Sequence, residues 1–302
     1  MVVVSARGWV LFAAMSVIWG VPYLMIKVAV AEVSVPLLIF TRSAVGAALL
    51  LPLALSRQSR TLLRRHWKAV AGFAFFEMIA AWLMLSDAER HLTSSLTGLL
   101  IAAAPIIAAV LDRLTGGERL SALRSVGLGV GLAGVAVLAG PGLTGGSGWP
   151  VAEVLLTATC YAIAPLIAAR YLADVPGPAL TAACLSLAAV VYAVPAALTL
   201  PTHALAGRTY WAIAGLAGIC TALAFVLFFA LIREVGPTRA LIFTYVNPAV
   251  ALLAGVLILR EPLTGWNIAG LFLILAGSVL ATRPARAVPG GQASSSLPQR
   301  FS

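Results

Sequence analysis

Charge is what this chain has least of. Asp, Glu, Lys and Arg make up 10% of its 302 residues, and only ten are acidic. An ordinary soluble domain carries about a quarter. So little charge cannot cover a wet exterior, and a water-soluble globular fold is excluded. Histidine and cysteine are equally sparse, three of each. Cys160, Cys184 and Cys220 fall inside apolar runs without C-x-x-C spacing, so neither a disulfide framework nor a metal centre is indicated. The sequence holds no H-E-x-x-H, no G-x-x-x-x-G-K-[ST] and no G-x-S-x-G. No catalytic residue, cofactor or ATPase is expected on that ground.

What fills the chain instead is hydrocarbon. Hydrophobic residues reach 61% and the mean hydropathy is +1.02, values that make the bilayer its solvent. A spanning helix needs roughly 20 apolar residues. Ten such runs are read, at 9–31, 35–55, 67–86, 92–114, 122–140, 149–170, 178–200, 209–232, 237–259 and 263–282. They lack period-two alternation, which argues against a β-barrel. The expected fold is all-α and integral to the membrane. A rival reading takes Arg7, the first apolar run and "AVA" at 29–31 as a signal peptide. Pro22 and Lys27 interrupt that run, which is also long for a leader.

The formal charge is +10. No basic stripe interleaved with aromatics accompanies it, so nucleic acid is not an expected partner. Lys and Arg gather in cytoplasmic loops of membrane proteins. With the N-terminus inside, fifteen cations fall on the cytoplasmic side. Lys27, Arg90, Arg208 and Arg260 fall outside, and Arg42 lies within a span. Both termini are expected in the cytoplasm, at the cell inner membrane. The Pro-, Gly- and Ser-rich tail at 284–302 reads as disordered.

Sliding the sequence over itself by 143 residues reveals a duplication. Pro22 meets Pro165, Lys27 meets Arg170 and Pro52 meets Pro195. "WKAVAG" at 67–72 meets "YWAIAG" at 210–215, and Glu118 meets Glu261. Gly127 and Gly134 meet Gly270 and Gly277. The halves are 1–143 and 144–283. Five spans each is an odd number, so the second half must enter the bilayer from the opposite side. Inverted repeats of this kind mark secondary transporters, whose substrate sites lie near the midplane. The first span has a mate in the second half, and its cleavage would leave that mate unmatched.

In order and spacing these residues resemble the drug/metabolite transporter superfamily, in particular the ten-helix exporters built from two EamA-type halves. The resemblance rests on "WG" before Lys27, Pro36 before Arg42, Pro105, Glu118, Gly127 and Gly134. In the second half it rests on Asn247–Pro248, "REPLT" at 260–264, Gly270 and Gly277. It implies a basket of ten helices around a central cavity, and export of small metabolites by alternating access. Amino acids, aromatic ones included, are a frequent cargo of that family. Other metabolites, or cationic drugs, are the alternative cargo. A membrane-embedded enzyme would need clustered polar groups near one face, and only "SDAERH" at 86–91, read as a short outer loop, comes close. A channel is the third class.

Ionisable residues inside a span are costly and point to sites. Glu77, near the middle of the third span, is expected to face a cavity or a partner helix. It suits a proton relay or a substrate ammonium, and protons are an expected partner on its account alone. Arg42 and Lys27 lie near the outer face, where they meet a substrate carboxylate, snorkel, or pair with Glu32. Trp19, Trp82 and Tyr161 supply candidate cavity walls, and Tyr245 and Asn247 flank a mid-span proline. Pro22, Pro105, Pro165 and Pro248 are candidate bends or gates, since proline removes one helical hydrogen bond. Glycines of the fifth and tenth spans fit close helix packing. A small-molecule substrate, membrane lipid, and a monomer or weak homodimer complete the expectations.

Overall fold

The computed structural model describes residues 5–54, 56–114, 122–144, 148–236 and 240–281. Glu118 and the tail at 284–302 lie outside the described residues. Everything regular among them is helical. Eight helices are long and apolar enough to cross a membrane: Ala6–Ala29, Val35–Pro52, Trp67–His91, Ser94–Leu114, Ala122–Gly140, Gly148–Tyr171, Gly177–Ala197 and Gly207–Val235. Two further apolar helices are shorter, Asn247–Ile258 and Gly265–Ala281. The shortness of the first has a local cause. Residues Leu241–Tyr245 form a tight 3₁₀ turn, and the α-helix restarts at Asn247.

Several spans are broken in this way, and proline decides where. The first span consists of α1 (Ala6–Ile18) and α2 (Pro22–Ala29). Proline has no N–H to donate, so it sits at no cost in a first helical turn, and Pro22 opens α2 there. The second span is α3 (Val35–Ala54), followed by the basic surface helix α4 (Arg57–Arg65). The fourth divides into α7 (Ser94–Ile101) and α8 (Ala104–Leu114), with Pro105 in the first turn of α8. Pro248 lies at the same place in α14 (Asn247–Ile258). Pro165 differs: it is inside an unbroken α10 (Gly148–Tyr171). Repeated prolines therefore do not give repeated breaks.

The third span runs through α5 (Trp67–Ala74), a π-helical segment Phe75–Ile79, and α6 (Ala80–His91). The eighth mirrors it as α12 (Gly207–Ala214), a π segment Gly215–Leu223, and α13 (Ala224–Val235). Shifted by 143, the first π segment falls inside the second. The remaining apolar helices are α9 (Ala122–Thr144), α11 (Gly177–Ala197) and α15 (Gly265–Ala281).

Packing follows the duplication. α3 packs on its counterpart α11, α9 on its counterpart α15, and the fourth span on the ninth through α7 and α14. The remaining contacts exchange partners: α1 and α2 lie against α13 and α12, while α10 lies against α6 and α5. At the α9–α15 seam, a methyl group placed on Gly277 would overlap the backbone of Gly131 and Gly127. Two backbones approach this closely only where side chains are absent. The largest apolar core joins both halves, from Tyr23, Ile26 and Leu38 to Cys184, Leu185 and Leu216.

Candidate functional site

Arg42 is the eighth residue of α3, well inside the bundle. Its guanidinium carbon stacks 3.7 Å above the Trp82 ring, and a desolvated stack of this kind contributes about 2 kcal/mol. Its Nε donates to Thr221 Oγ1 at 2.8 Å. Thr221 in turn donates to the Leu216 carbonyl at 2.8 Å. That acceptor is five residues back, so the π turn of the second half is what presents Thr221 to Arg42. A π segment inside an α-helix is frequently a functional feature, and the one in the first half carries Glu77.

Arg42 and Glu77 are surrounded by protein, yet both keep some accessible surface. Side chains that line an internal space behave this way. Tyr161 ties the two together, since it lies beside Trp82 and within electrostatic range of both charges. Tyr23 is in range of Arg42 as well, and Cys160 and Cys184 are in range of Glu77. The expected residues Arg42, Glu77, Trp82 and Tyr161 are thus brought into one polar and aromatic core. Tyr23 and Thr221 belong to it and went unselected in the sequence. Tyr23 carried a usable signal, because it precedes Lys27 by one helical turn and shares its face.

Trp19 stands next to this core. It occupies the break between α1 and α2, where its indole nitrogen donates to the Cys220 carbonyl at 3.3 Å. Cys220 is the counterpart of Glu77 under the 143-residue shift. The Trp19 ring packs on Phe225, Phe228 and Phe243, with centroids 5.1–5.6 Å away. Asn247 joins a different cluster. With its amide nitrogen turned toward the two nearby carbonyls, it donates to Ser16 and to Phe243, both at 3.1 Å. It thereby staples the break in the ninth span to the one in the first. Tyr245, two residues away, is half-buried at the end of the 3₁₀ turn.

A second polar group joins the two halves at the Lys27 end of the bundle. Glu261 crosses between the halves to the N-terminus of α7. Its Oε1 accepts from Ser94 N (2.8 Å) and Ser94 Oγ (3.0 Å); Oε2 accepts from Ser95 N (2.9 Å) and Ser95 Oγ (2.5 Å). A carboxylate here satisfies orphan helix donors and the helix dipole together. Two backbone features aim it. Arg260 is left-handed, φ 56°, unusual for a residue with a side chain. Gly255 makes room, since a methyl there would collide with Glu261, Ser94 and Ser95.

Lys27 neither snorkels nor pairs with Glu32. Its ammonium donates to the backbone carbonyls of Glu89 (2.6 Å) and Leu92 (2.7 Å). Glu32 instead accepts from Ala206 N at 2.8 Å, with Arg208 3.6 Å away. The Ala206 N–H and, less strongly, Arg208 hold the Glu32 carboxyl below the usual carboxylate range. The segment 86–91 is also not a loop, because α6 continues to His91. Helical periodicity puts Trp82, Leu85 and Glu89 on one buried face, and Glu89 is fully buried. A cavity of about 440 Å³ opens at this same end, between residues 30–36, Leu83, Asp87 and Arg90. Its lining does not include Arg42 or Glu77.

A bundle of apolar helices, built from two matching halves that share a charged aromatic core, is the architecture of a multi-pass membrane transporter. Residues 6–140 and 149–283 each match the EamA-like transporter family, and the protein belongs to that family. Its relatives include the uncharacterized transporter YvbV of Bacillus subtilis (strain 168), 25% identical over 297 residues that cover 94% of each chain. The uncharacterized inner membrane transporter YedA of Escherichia coli (strain K12) is 26% identical over 279 residues, 89% of this chain and 88% of YedA. An uncharacterized transporter of Archaeoglobus fulgidus is 25% identical over 284 residues, 92% of this chain and 99% of its own. A solved crystal structure matches with a TM-score of 0.65 at 20% identity, covering 91% of this chain and 96% of its own, a likeness of fold.

Proposed function

We propose that this protein is a secondary transporter of the inner membrane that exports small amphipathic zwitterions, above all amino acids with apolar or aromatic side chains. Ten spans arranged as two inverted halves, with both termini in the cytoplasm, give it the topology for alternating access. The observation that carries the reading is Arg42, stacked on Trp82 and hydrogen-bonded to the opposite half through Thr221, in the same core as Glu77. Nε and one face of the guanidinium are engaged, which leaves its terminal nitrogens to meet a substrate carboxylate. Glu77 meets the ammonium, and Trp82, Tyr161 and Trp19 form the apolar walls between them. Rocking of the halves exposes this site to one side at a time, with the breaks before Pro22, Pro105 and Pro248 as hinges.

Glu77 is also the proton-coupling candidate. Reconstituted protein is expected to exchange labelled amino acids with saturation and trans-stimulation, as a carrier does and a pore does not. Glu77→Gln should change the pH dependence of that rate. Unchanged pH dependence in Glu77→Gln contradicts the proton role. Exchange of cationic drugs but not of any amino acid contradicts the cargo class.

A further inference from the structure

Glu89 is the one described carboxyl group that is fully buried and has both oxygens without a hydrogen-bond partner. It lies in the last two turns of α6, at the Lys27 end where Glu261 joins the two halves. Its own backbone carbonyl holds the Lys27 ammonium, but its carboxyl does not.

The elements around α6 bring several ionisable groups near. These are Tyr23 and Lys27 on α2, Arg42 on α3, Glu77 on the π segment, Glu153 and Tyr161 on α10, and Glu261 across the seam. Asp87, Arg90 and His91 share its own helix. Of these, Lys27, Glu261 and Tyr23 lie within electrostatic range of Glu89.

Charge and hydrogen bonding in that group single out Glu89. Glu261 accepts four hydrogen bonds, two from backbone amides at a helix N-terminus, donors that meet a negative charge. Lys27 makes two short bonds to carbonyls, acceptors that meet a positive charge. These two charges cancel. An ionised Glu89 would give this partly buried group a net negative charge and would itself be a fully buried carboxylate that no donor meets, which low-dielectric surroundings penalise heavily. A protonated Glu89 leaves it neutral. Were this end to open, with Glu261 withdrawn from Ser94 and Ser95, water would reach Glu89, and in water a carboxylate is at home.

We propose that Glu89 is a proton-binding site, occupied while the Lys27 end is closed and vacated when that end opens. The site itself stands on these contacts, whereas its part in the transport cycle rests on the transporter reading. In an exporter with this end outward, a proton taken up at Glu89 from outside favours closure and return to the inward-facing state, and it leaves to the same side when that end reopens, so the site latches the outer end without carrying charge across the membrane.

The test needs no substrate, so its failure is separable from failure of the exporter reading. Infrared spectra of the full-length protein in nanodiscs should show the carbonyl stretch of a protonated carboxylic acid at neutral pH. Glu89→Gln should remove a resolved part of that band, and Glu89→Asp should shift it. Glu77→Gln should leave that part in place. A spectrum of Glu89→Gln equal to that of the unmutated protein at every pH overturns the site, as does a neutral-pH spectrum without any such band.

Closure is read separately, from spin labels at His91 and Leu263 in the full chain with its three cysteines replaced. The distance should lengthen as pH rises, stay short at every pH in Glu89→Gln, and stay long in Glu261→Ala. If Glu89→Gln lengthens with pH as the parent does, the link between proton and closure is wrong.

Discussion

Arg42→Ala is expected to reduce exchange about 100-fold, while the protein still folds and elutes as a single species. The expectation follows from what the side chain does. Its planar group is fixed on two sides, by the Trp82 ring and by Thr221, so little rotational freedom remains to be lost when a carboxylate arrives. A hydrogen bond to a charged group contributes about 1.5–3 kcal/mol, and the upper part of that range corresponds to about 100-fold. Arg42→Lys keeps the charge but loses both the stack and the fork, so it should recover only a small part. Thr221→Val leaves charge and stack in place and should cost several-fold, chiefly in apparent affinity. Initial rates of exchange, normalised to reconstituted protein, measure all three. Full activity in Arg42→Ala would remove Arg42 from the site.

The second large effect is on stability and on the closed state. Glu261→Ala should destabilise the protein by about 3 kcal/mol, because it strips four donors at the start of α7 of their acceptor. Each unsatisfied buried donor costs about 1–3 kcal/mol, and neighbouring losses are not additive. Glu261→Gln keeps one acceptor oxygen and should lose about half as much. Gly255→Ala should resemble Glu261→Ala without removing any polar group, since the added methyl occupies the space of the carboxylate. Thermal unfolding in detergent, followed with the three variants side by side, gives the order. A Gly255→Ala protein as stable as the parent would contradict the crowded geometry.

Much of the fold was legible because the duplication writes it twice. The 143-residue shift aligned residues that the structure then places in corresponding positions: paired π segments, α3 against α11, and glycine seams in α9 and α15. Glu77 and Arg42 were legible through the cost of charge in hydrocarbon, and the structure puts them in one core with Trp82 and Tyr161. Other features were not legible, for physical reasons. Pro22 and Pro165 align, yet only the first sits at a break, because tertiary packing decides whether a helix carrying proline stays continuous. "SDAERH" looked like a loop because its charges are dense. The helix continues through it, and periodicity buries Glu89 while leaving Arg90 and His91 exposed. Lys27 was expected to find a carboxylate or the interface. It found backbone carbonyls at the end of α6, partners that leave no trace in side-chain sequence. Asn247 was read as a cavity residue, and its amide bridges two helix breaks.

The central claim is that one half was copied and threaded through the bilayer in the opposite sense, so that the halves enclose a shared site. Single cysteines at Ala31 and Tyr171, introduced into the full chain lacking its native thiols, test this with an impermeant maleimide on intact cells. The account predicts labelling at 31 from outside and protection at 171 until the membrane is opened. Labelling of both from the same side would contradict it.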